Sequence, residues 1–548
     1  MKLSTITLLL AVSSALTNHA ISNPAQAGGH WQQLVQHNGD AELAYFGTRV
    51  CSIGDANGDG KDDYLITSPA SEVSATPEAG KVSVYSGATH DVLFQYFGGA
   101  NNLHFATSVA GAGDVNNDGF DDFILGNWHA KVGNYENAGR FEVYSGKDGT
   151  ELYSFQGRFS NHRMGRDVAG AGDVNNDGYD DFIVGEHGRT RVYSGFNGST
   201  IAYYCPGTDG GYGKAVDGVG DIDKDGWDDF AVGDPTSDSW SSSNNGLVRT
   251  YSGRTGSYIH TFYGDPADQR LGTDVSAAGD VNADGYPDVI FATKHGAEIY
   301  SGLDFNLIRA HKDFNWISKS DFTVSDAGDI NQDGHDDYWV GTPPDSTTKN
   351  ASVTCYSGAT GLKIFQFDSQ PNKGTRMSHA AGGDINGDGY DDIMIGTSGY
   401  TAHGSNQNTG MARILAFDPC LEAGIDSISA SKGANVIFSL NFPPEAGGQE
   451  YRMLMSQNGE GPTHFGIAIP LTRDRMLLDS FHGNYAVNSH YNMHGTLDAN
   501  GHTMASFAFP AKMPSAMIGE CFWFAAITGP NQSQPTISSV AVMVEILP

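Results

Sequence analysis

The stretch Asp173-Val174-Asn175-Asn176-Asp177-Gly178-Tyr179-Asp180-Asp181 decides how this chain is read. Oxygen-bearing side chains stand at positions 1, 3 and 5, glycine at 6 allows a sharp bend, and aspartates follow at 8 and 9. This spacing lets the side-chain oxygens of 1, 3, 5 and 9 and the main-chain carbonyl of 7 converge, an all-oxygen donor set suited to a hard divalent cation. The apolar run Phe182-Ile183-Val184 comes next, so the loop leads into a strand. An EF-hand would carry Glu at position 12, where Val184 stands.

The pattern D-x-[DN]-x-D-G-x-x-D recurs seven times at intervals of 48 to 59 residues. A lone match would be an ordinary Asx-rich turn; seven in one context predict seven cation loops. The first takes Asp55, Asn57, Asp59, the carbonyl of Lys61, and Asp63. The second takes Asp114, Asn116, Asp118, the carbonyl of Phe120, and Asp122. The third takes Asp173, Asn175, Asp177, the carbonyl of Tyr179, and Asp181, and the fourth Asp221, Asp223, Asp225, the carbonyl of Trp227, and Asp229. The fifth takes Asp280, Asn282, Asp284, the carbonyl of Tyr286, and Asp288. The sixth takes Asp329, Asn331, Asp333, the carbonyl of His335, and Asp337, and the seventh Asp384, Asn386, Asp388, the carbonyl of Tyr390, and Asp392. Pro287 replaces the position-8 aspartate of the fifth copy while Asp288 persists, so position 9 is the better ligand. Oxygen donors at flexible spacing favour Ca²⁺ over Mg²⁺, giving up to seven Ca²⁺ per chain.

Charge agrees with this. Of 548 residues, 64 are acidic and 31 basic, a formal charge of −33, and the seven ten-residue loop windows hold 28 of the acidic ones. Such a balance repels phosphate backbones and anionic lipid surfaces, which argues against nucleic acid as a partner. No run of about 20 apolar residues supports membrane insertion. The 71 glycines lie between short apolar runs with no G-X-Y period, the signature of an all-β chain with many turns.

Each repeat reads as four short strands, as in Thr107 to Ala112, Phe123 to Leu125, Arg140 to Tyr144 and Glu151 to Phe155. Four strands per ~50 residues is the arithmetic of a propeller blade. The turn Tyr-Ser-Gly recurs in six copies, from Tyr85-Ser86-Gly87 to Tyr356-Ser357-Gly358, and Phe417-Asp418 replaces it in the seventh. The seventh copy lacks a fourth strand. Trp31 to Gln36, ahead of the first loop, has the character of one and is expected to close the ring, removing open sheet edges.

These repeats resemble the FG-GAP repeats of the integrin α-subunit N-terminal region and its bacterial secreted relatives, over roughly residues 31 to 418. The FG element is clear at Phe46-Gly47, weaker at Met164-Gly165, Tyr212-Gly213 and Leu271-Gly272, and altered at Phe105-Ala106 and in the last two copies. The GAP element appears as Gly233-Asp234-Pro235 and Gly341-Thr342-Pro343. The resemblance implies a seven-bladed β-propeller with calcium loops and a ligand on the face opposite them. No Arg-Gly-Asp motif is present.

Flanking regions complete the organisation. Lys2, the apolar stretch Ile6 to Leu16 and Ala25-Gln26-Ala27 read as a signal peptide over residues 1–27. The propeller is assigned to 28–420. Residues 421–548 hold about seven apolar segments, with a hairpin signal at Asn500-Gly501, and read as a β-sandwich. Cys51, Cys205 and Cys355 read as buried thiols, and Cys420 and Cys521 could pair within the C-terminal domain. The product is expected to be secreted, or periplasmic, and to bind an extracellular glycan or protein. Loops opposite the calcium face carry Trp128, His129, Tyr135, His187, Asp234, Trp240 and His295, with Tyr212 and Trp316 on blade connections. No catalytic residue is assigned, since no nucleophile elbow, zinc-binding helix or phosphate loop occurs. A recognition or adhesion module is therefore favoured over a polysaccharide lyase or hydrolase working in the funnel, and over a purely structural surface protein.

Overall fold

The computed structural model describes residues 27–39, 44–73, 76, 78–99, 104–206, 210–238, 244–264, 269–312, 321–330, 334–344, 350–369, 377–399 and 409–419. Beyond 420 it describes the strands named below and their flanks. Residues 1–26 of the signal-peptide reading, Trp240, Trp316, Asn331, Asp333, Cys420 and Asn500-Gly501 lie outside the described residues.

Six four-stranded antiparallel sheets follow one another in chain order, each built from consecutive strands, as in Ser108–Gly113, Asp122–Asn127, Arg140–Tyr144 and Glu151–Gln156. The seventh takes three strands from one end of the repeat array, Met377–Gly383, Asp392–Thr397 and Met411–Pro419. Its fourth comes from the other end: Ala27–Asn38 pairs antiparallel with Met411–Pro419, from Gly29↔Pro419 to Asn38↔Met411. The expected closure is therefore present. Seven separate apolar clusters fill the seven junctions between neighbouring blades, including that between the seventh and the first, where Ile385, Met394 and Ile414 meet Phe46, Tyr64 and Ile66. An open arc of seven blades would have only six junctions.

Position within a blade decides which residues each strand uses. Second strands such as Asp122–Asn127 and Asp181–Glu186 are buried along their whole length, because a neighbouring blade covers each face. Fourth strands such as Glu151–Gln156 lie on the rim and alternate between exposed and half-buried positions. First strands crowd around the axis and need small residues: a Cβ on Gly170 would lie 2.9 Å from the carbonyl oxygen of Gly111, and one on Gly218 2.7 Å from that of Gly170.

The FG element explains itself in the same way. Phe46, Phe105, Met164, Tyr212 and Leu271 are all buried as junction plugs, and each is followed by a residue at positive φ. Ala106 takes that place at φ 56°, so the altered second copy keeps the geometry. Tyr212 is thus a core residue, its hydroxyl 2.6 Å from that of Tyr251, and not an exposed loop aromatic. Cys355 is buried and Cys51 half-buried, but Cys205 is exposed just past the strand Thr200–Tyr204, against the expectation of a buried thiol.

After the propeller, one sheet contains Leu421–Ala423, Ala434–Asn441, His502–Phe509 and His490–Tyr491, while the seventh blade's sheet runs on through Ala27-Gly28, paired parallel with Ser538-Ser539, into Ile537–Ser539, Cys521–Gly529, Glu450–Ser456 and His494–Thr496, with Ser427–Ser429 and Val542–Leu547 alongside. Phe438, Leu440 and Ala505 of the first share one buried cluster with Met453, Phe524 and Ile546 of the second. No α-helix occurs among the described residues, and no helix there is long and apolar enough to cross a membrane.

Candidate metal centres and the opposite face

Each acidic loop joins the first and second strands of its blade, so all seven lie on one face. The bend glycines Gly60, Gly119, Gly178, Gly226, Gly285, Gly334 and Gly389 have φ between 83° and 91°, as position 6 requires. Position 1 shapes the loop from inside: Asp114 accepts from the N–H of Asp118 at 2.9 Å through one oxygen and of Gly119 at 2.7 Å through the other. The same double contact recurs at Asp55, Asp173, Asp221, Asp280 and Asp384.

Position 9 is the floor. Asp63, Asp122, Asp181, Asp229, Asp288, Asp337 and Asp392 are at most 1% exposed. In six copies one oxygen accepts from the glycine N–H of the Tyr-Ser-Gly turn, as Asp122 does from Gly146 at 3.0 Å. That glycine is obligatory by contact, since a Cβ on Gly146 would lie 2.0 Å from the carbonyl oxygen of Asp121. In the seventh copy Phe417-Asp418 replaces the turn, and Asp392 Oδ1 is buried without a hydrogen-bond partner. Burial first, and then the carboxylates at positions 1 and 5, pushes Asp63, Asp122, Asp181 and Asp288 up to about 7 and Asp392 to about 8; burial, followed by Asp223, does the same to Asp229 at about 7.

These are groups that a cation would satisfy. In the second loop Asn116 Oδ1 and Asp122 Oδ2 are both buried with no partner, and in the fifth Asn282 Oδ1 is. The fourth loop, with Asp at position 3, brings carboxylate oxygens of Asp221, Asp223 and Asp225 within 4.8 Å of one another. Every donor is oxygen, which fits a hard cation. Position-7 side chains point away: Phe120 packs over Gly58 of the neighbouring loop, and His335 Nδ1 lies 2.9 Å from the carbonyl oxygen of Val281, leaving the position-7 carbonyl as the group for the loop.

Position 8 has a separate role that the Pro287 exception had only excluded from ligation. Its carboxylate accepts from the position-1 N–H of the preceding blade: Asp121 from Asp55 at 2.9 Å, Asp180 from Asp114 at 2.8 Å, Asp228 from Asp173 at 2.9 Å and Asp336 from Asp280 at 2.6 Å. Asp62 accepts from Asp384 at 2.9 Å across the ring closure. The glycine before position 1 leaves room for this latch, since a Cβ on Gly54 would meet Asp121 Oδ2 at 2.1 Å. Pro287 removes the latch between the fourth and fifth blades. Asp121→Ala, which strands the Asp55 N–H, is expected to lower unfolding stability in urea by about 1–3 kcal/mol, and Pro287→Asp to raise it by about 0.5–1.5 kcal/mol.

On the opposite face, Trp128 is not a free platform. His129 stacks on it with centroids 3.4 Å apart, and the Arg163 guanidinium lies over it at 5.1 Å. Tyr135 is exposed, as expected. The histidines do not form one acid–base centre: His129 packs on Trp128, His187 is exposed beside Gly210, and His295 lines a cavity of about 630 Å³ between the fifth and sixth blades with His311, Lys312 and Tyr356.

Comparison with known proteins agrees with this architecture. The FG-GAP repeat family model matches residues 378–415, the seventh copy. Integrin alpha-2 of Mus musculus is 30% identical over 175 residues, 29% of this chain and 14% of its own length. Integrin alpha-4 of Xenopus laevis is 30% identical over 166 residues, 28% of this chain and 15% of its own length, and integrin alpha-5 of Xenopus laevis 30% over 185 residues, 31% and 17% respectively. The aligned part thus spans about one sixth of these relatives.

Proposed function

We propose that this FG-GAP repeat β-propeller, similar in sequence to integrin alpha chains, is an exported recognition or adhesion module that docks a protein ligand on the face opposite its acidic loops. In this reading residues 1–27 are removed on export, 28–420 form a propeller stiffened by up to seven Ca²⁺, and 421–548 form an accompanying β-sandwich. The observation that carries it is the division of labour between the two ends of the ring. One end is given over to seven near-identical loops, whereas the other is built from loops of unequal length, from Glu186-His187-Gly188 to the segment 128–139. Loops held at one end of a rigid scaffold are where binding residues concentrate.

A steric block tests this. In a chain carrying Cys51→Ser and Cys205→Ser, Tyr135→Cys places a thiol on the loop face and Lys147→Cys one beside the acidic loop residue Asp118. Binding to an array of purified extracellular proteins should be abolished by a polyethylene-glycol maleimide at position 135 and survive it at 147. Binding of no arrayed protein, or loss of binding only at 147, would overturn the proposal.

A further inference from the structure

The chain has 64 acidic and 31 basic residues, and several of the basic ones are paired. Arg140 pairs with Glu142, Arg191 with Glu186, Lys312 with Glu298, and both Lys214 and Arg270 with Asp321. Arg163, Arg166 and Arg189 differ from these: among the described residues none has a carboxylate within ion-pair distance, as is also true of Arg49, Arg158 and Arg309, but these three share one stretch of the loop face. Nearby acids are engaged elsewhere: Glu186 by His162 and Arg191, Asp167 by Ser108 and the Val216 N–H, and Asp234 by the Thr236 hydroxyl. Asp209 lies outside the described residues.

The three guanidiniums belong to one patch on the loop face of the second to fourth blades. The segment 128–139 is joined to the connection 157–166 by N–H···O bonds from Asn161 to Glu136 at 2.9 Å, Arg163 to Asn137 at 3.1 Å and Met164 to Ala138 at 3.1 Å, and His187 N–H donates to His162 at 3.0 Å. Arg163 is laid on Trp128, and Arg189 lies 5.1 Å over Phe159, which also stacks on His162 at 4.1 Å. Arg166 donates to the Gly210 carbonyl at 2.7 Å. The Arg163 Nε–H is buried with no acceptor among the described residues. His187 links Arg166 to Arg189: its ring lies against Gly210, whose carbonyl Arg166 holds, and its N–H donates to His162, which stacks on the Phe159 that carries Arg189.

From this geometry we infer that the patch of Arg163, Arg166 and Arg189 docks a protein segment carrying clustered Asp or Glu side chains. Guanidiniums flattened on aromatic rings are pre-oriented, and their forked donors match carboxylates. Trp128 and Phe159 already carry His129 with Arg163 and His162 with Arg189, so they are not free stacking platforms for a sugar ring; this favours an acidic peptide over an acidic glycan. The inference rests on the loop face being the ligand face and adds the ligand's chemistry.

The test uses the full chain in millimolar calcium and fluorescence anisotropy of labelled decaglutamate, decaglutamine and an oligogalacturonate. Decaglutamate should bind, more weakly as salt rises, and decaglutamine should not. The triple variant Arg163→Gln/Arg166→Gln/Arg189→Gln should weaken decaglutamate binding by about tenfold or more. Arg163→Gln/Arg189→Gln, which leaves the Arg166–Gly210 contact alone, should lower it in the same direction, and Arg270→Gln, already paired with Asp321, should not. Equal binding of decaglutamine, unchanged affinity in both arginine variants, or tighter binding of oligogalacturonate than decaglutamate would overturn the inference. In each of these cases a persisting block at position 135 would leave the loop face as the ligand face, whereas loss of that block would remove both.

Discussion

Moving the purified chain from millimolar calcium into excess chelator is expected to lower its melting temperature by about 10 °C or more. A site held at ten times its dissociation constant contributes about 1.4 kcal/mol, and seven independent ones ~10 kcal/mol. That rivals the ~5–15 kcal/mol of a whole domain, and the unfolding entropy of a propeller this size converts it to the stated shift. The effect should depend on pH with a definite sign. Without metal, Asp63, Asp122, Asp181, Asp229 and Asp288 titrate at about 7 and Asp392 at about 8, raised from 3.8. The folded chain then holds protons that the unfolded chain has released, so metal-free stability falls as pH rises from about 4 through 8. His37, His311 and His379, lowered to about 4 chiefly by burial, act in the opposite sense below 6.5, but the six carboxylates outnumber them. Calcium needs the ionised carboxylates, so its increment should be largest near pH 8 and shrink on acidification. Scanning calorimetry with and without chelator at about pH 5.5 and 8 reads both effects; identical curves with and without chelator would remove metal from the account of this fold.

The second large effect belongs to the ring closure. Trp31 is 6% exposed, and its ring lies 5.8 Å from Trp339, 5.4 Å from Phe365 and 5.5 Å from Phe417. It sits on the strand that joins the two ends of the repeat array and plugs the junction between the sixth and seventh blades. Trp31→Ala removes a buried aromatic from a site that cannot collapse, since Phe417 and Trp339 are fixed by their own blades. The expected loss is about 3–5 kcal/mol in urea unfolding. Tyr258→Ala, on the outer strand of the fourth blade and 67% exposed, should change stability by less than about 0.5 kcal/mol. Equal effects of the two would show that the closing strand is not what holds the ring.

The loops were legible because they are local. Seven copies in one chain act as their own comparison, and a glycine at position 6 with oxygen side chains two residues apart has few other uses. The closing strand was legible too, because a missing fourth strand at one end and a spare one at the other leave a single economical pairing. The role of position 8 was not: Pro287 showed that it is dispensable for the loop, but nothing near Asp121 in the chain points to the Asp55 N–H, which another blade supplies. Tyr212 misled for a related reason. Its place on a blade connection of the loop face says nothing of burial, and only the packing of neighbouring blades shows it as a plug.

What the sequence determined by itself was therefore the repeat, its four-strand unit, its blade count and its oxygen-rich loops, all set by contacts within about ten residues or by periodicity. Only the tertiary structure decided which carboxylates tie blade to blade, which aromatics are buried, and where three arginines gather with no acidic partner among the described residues. Those outcomes depend on groups from different blades meeting at one junction, and the distance along the chain between Asp62 and Asp384 carries no trace of the 2.9 Å that separates the carboxylate of one from the N–H of the other.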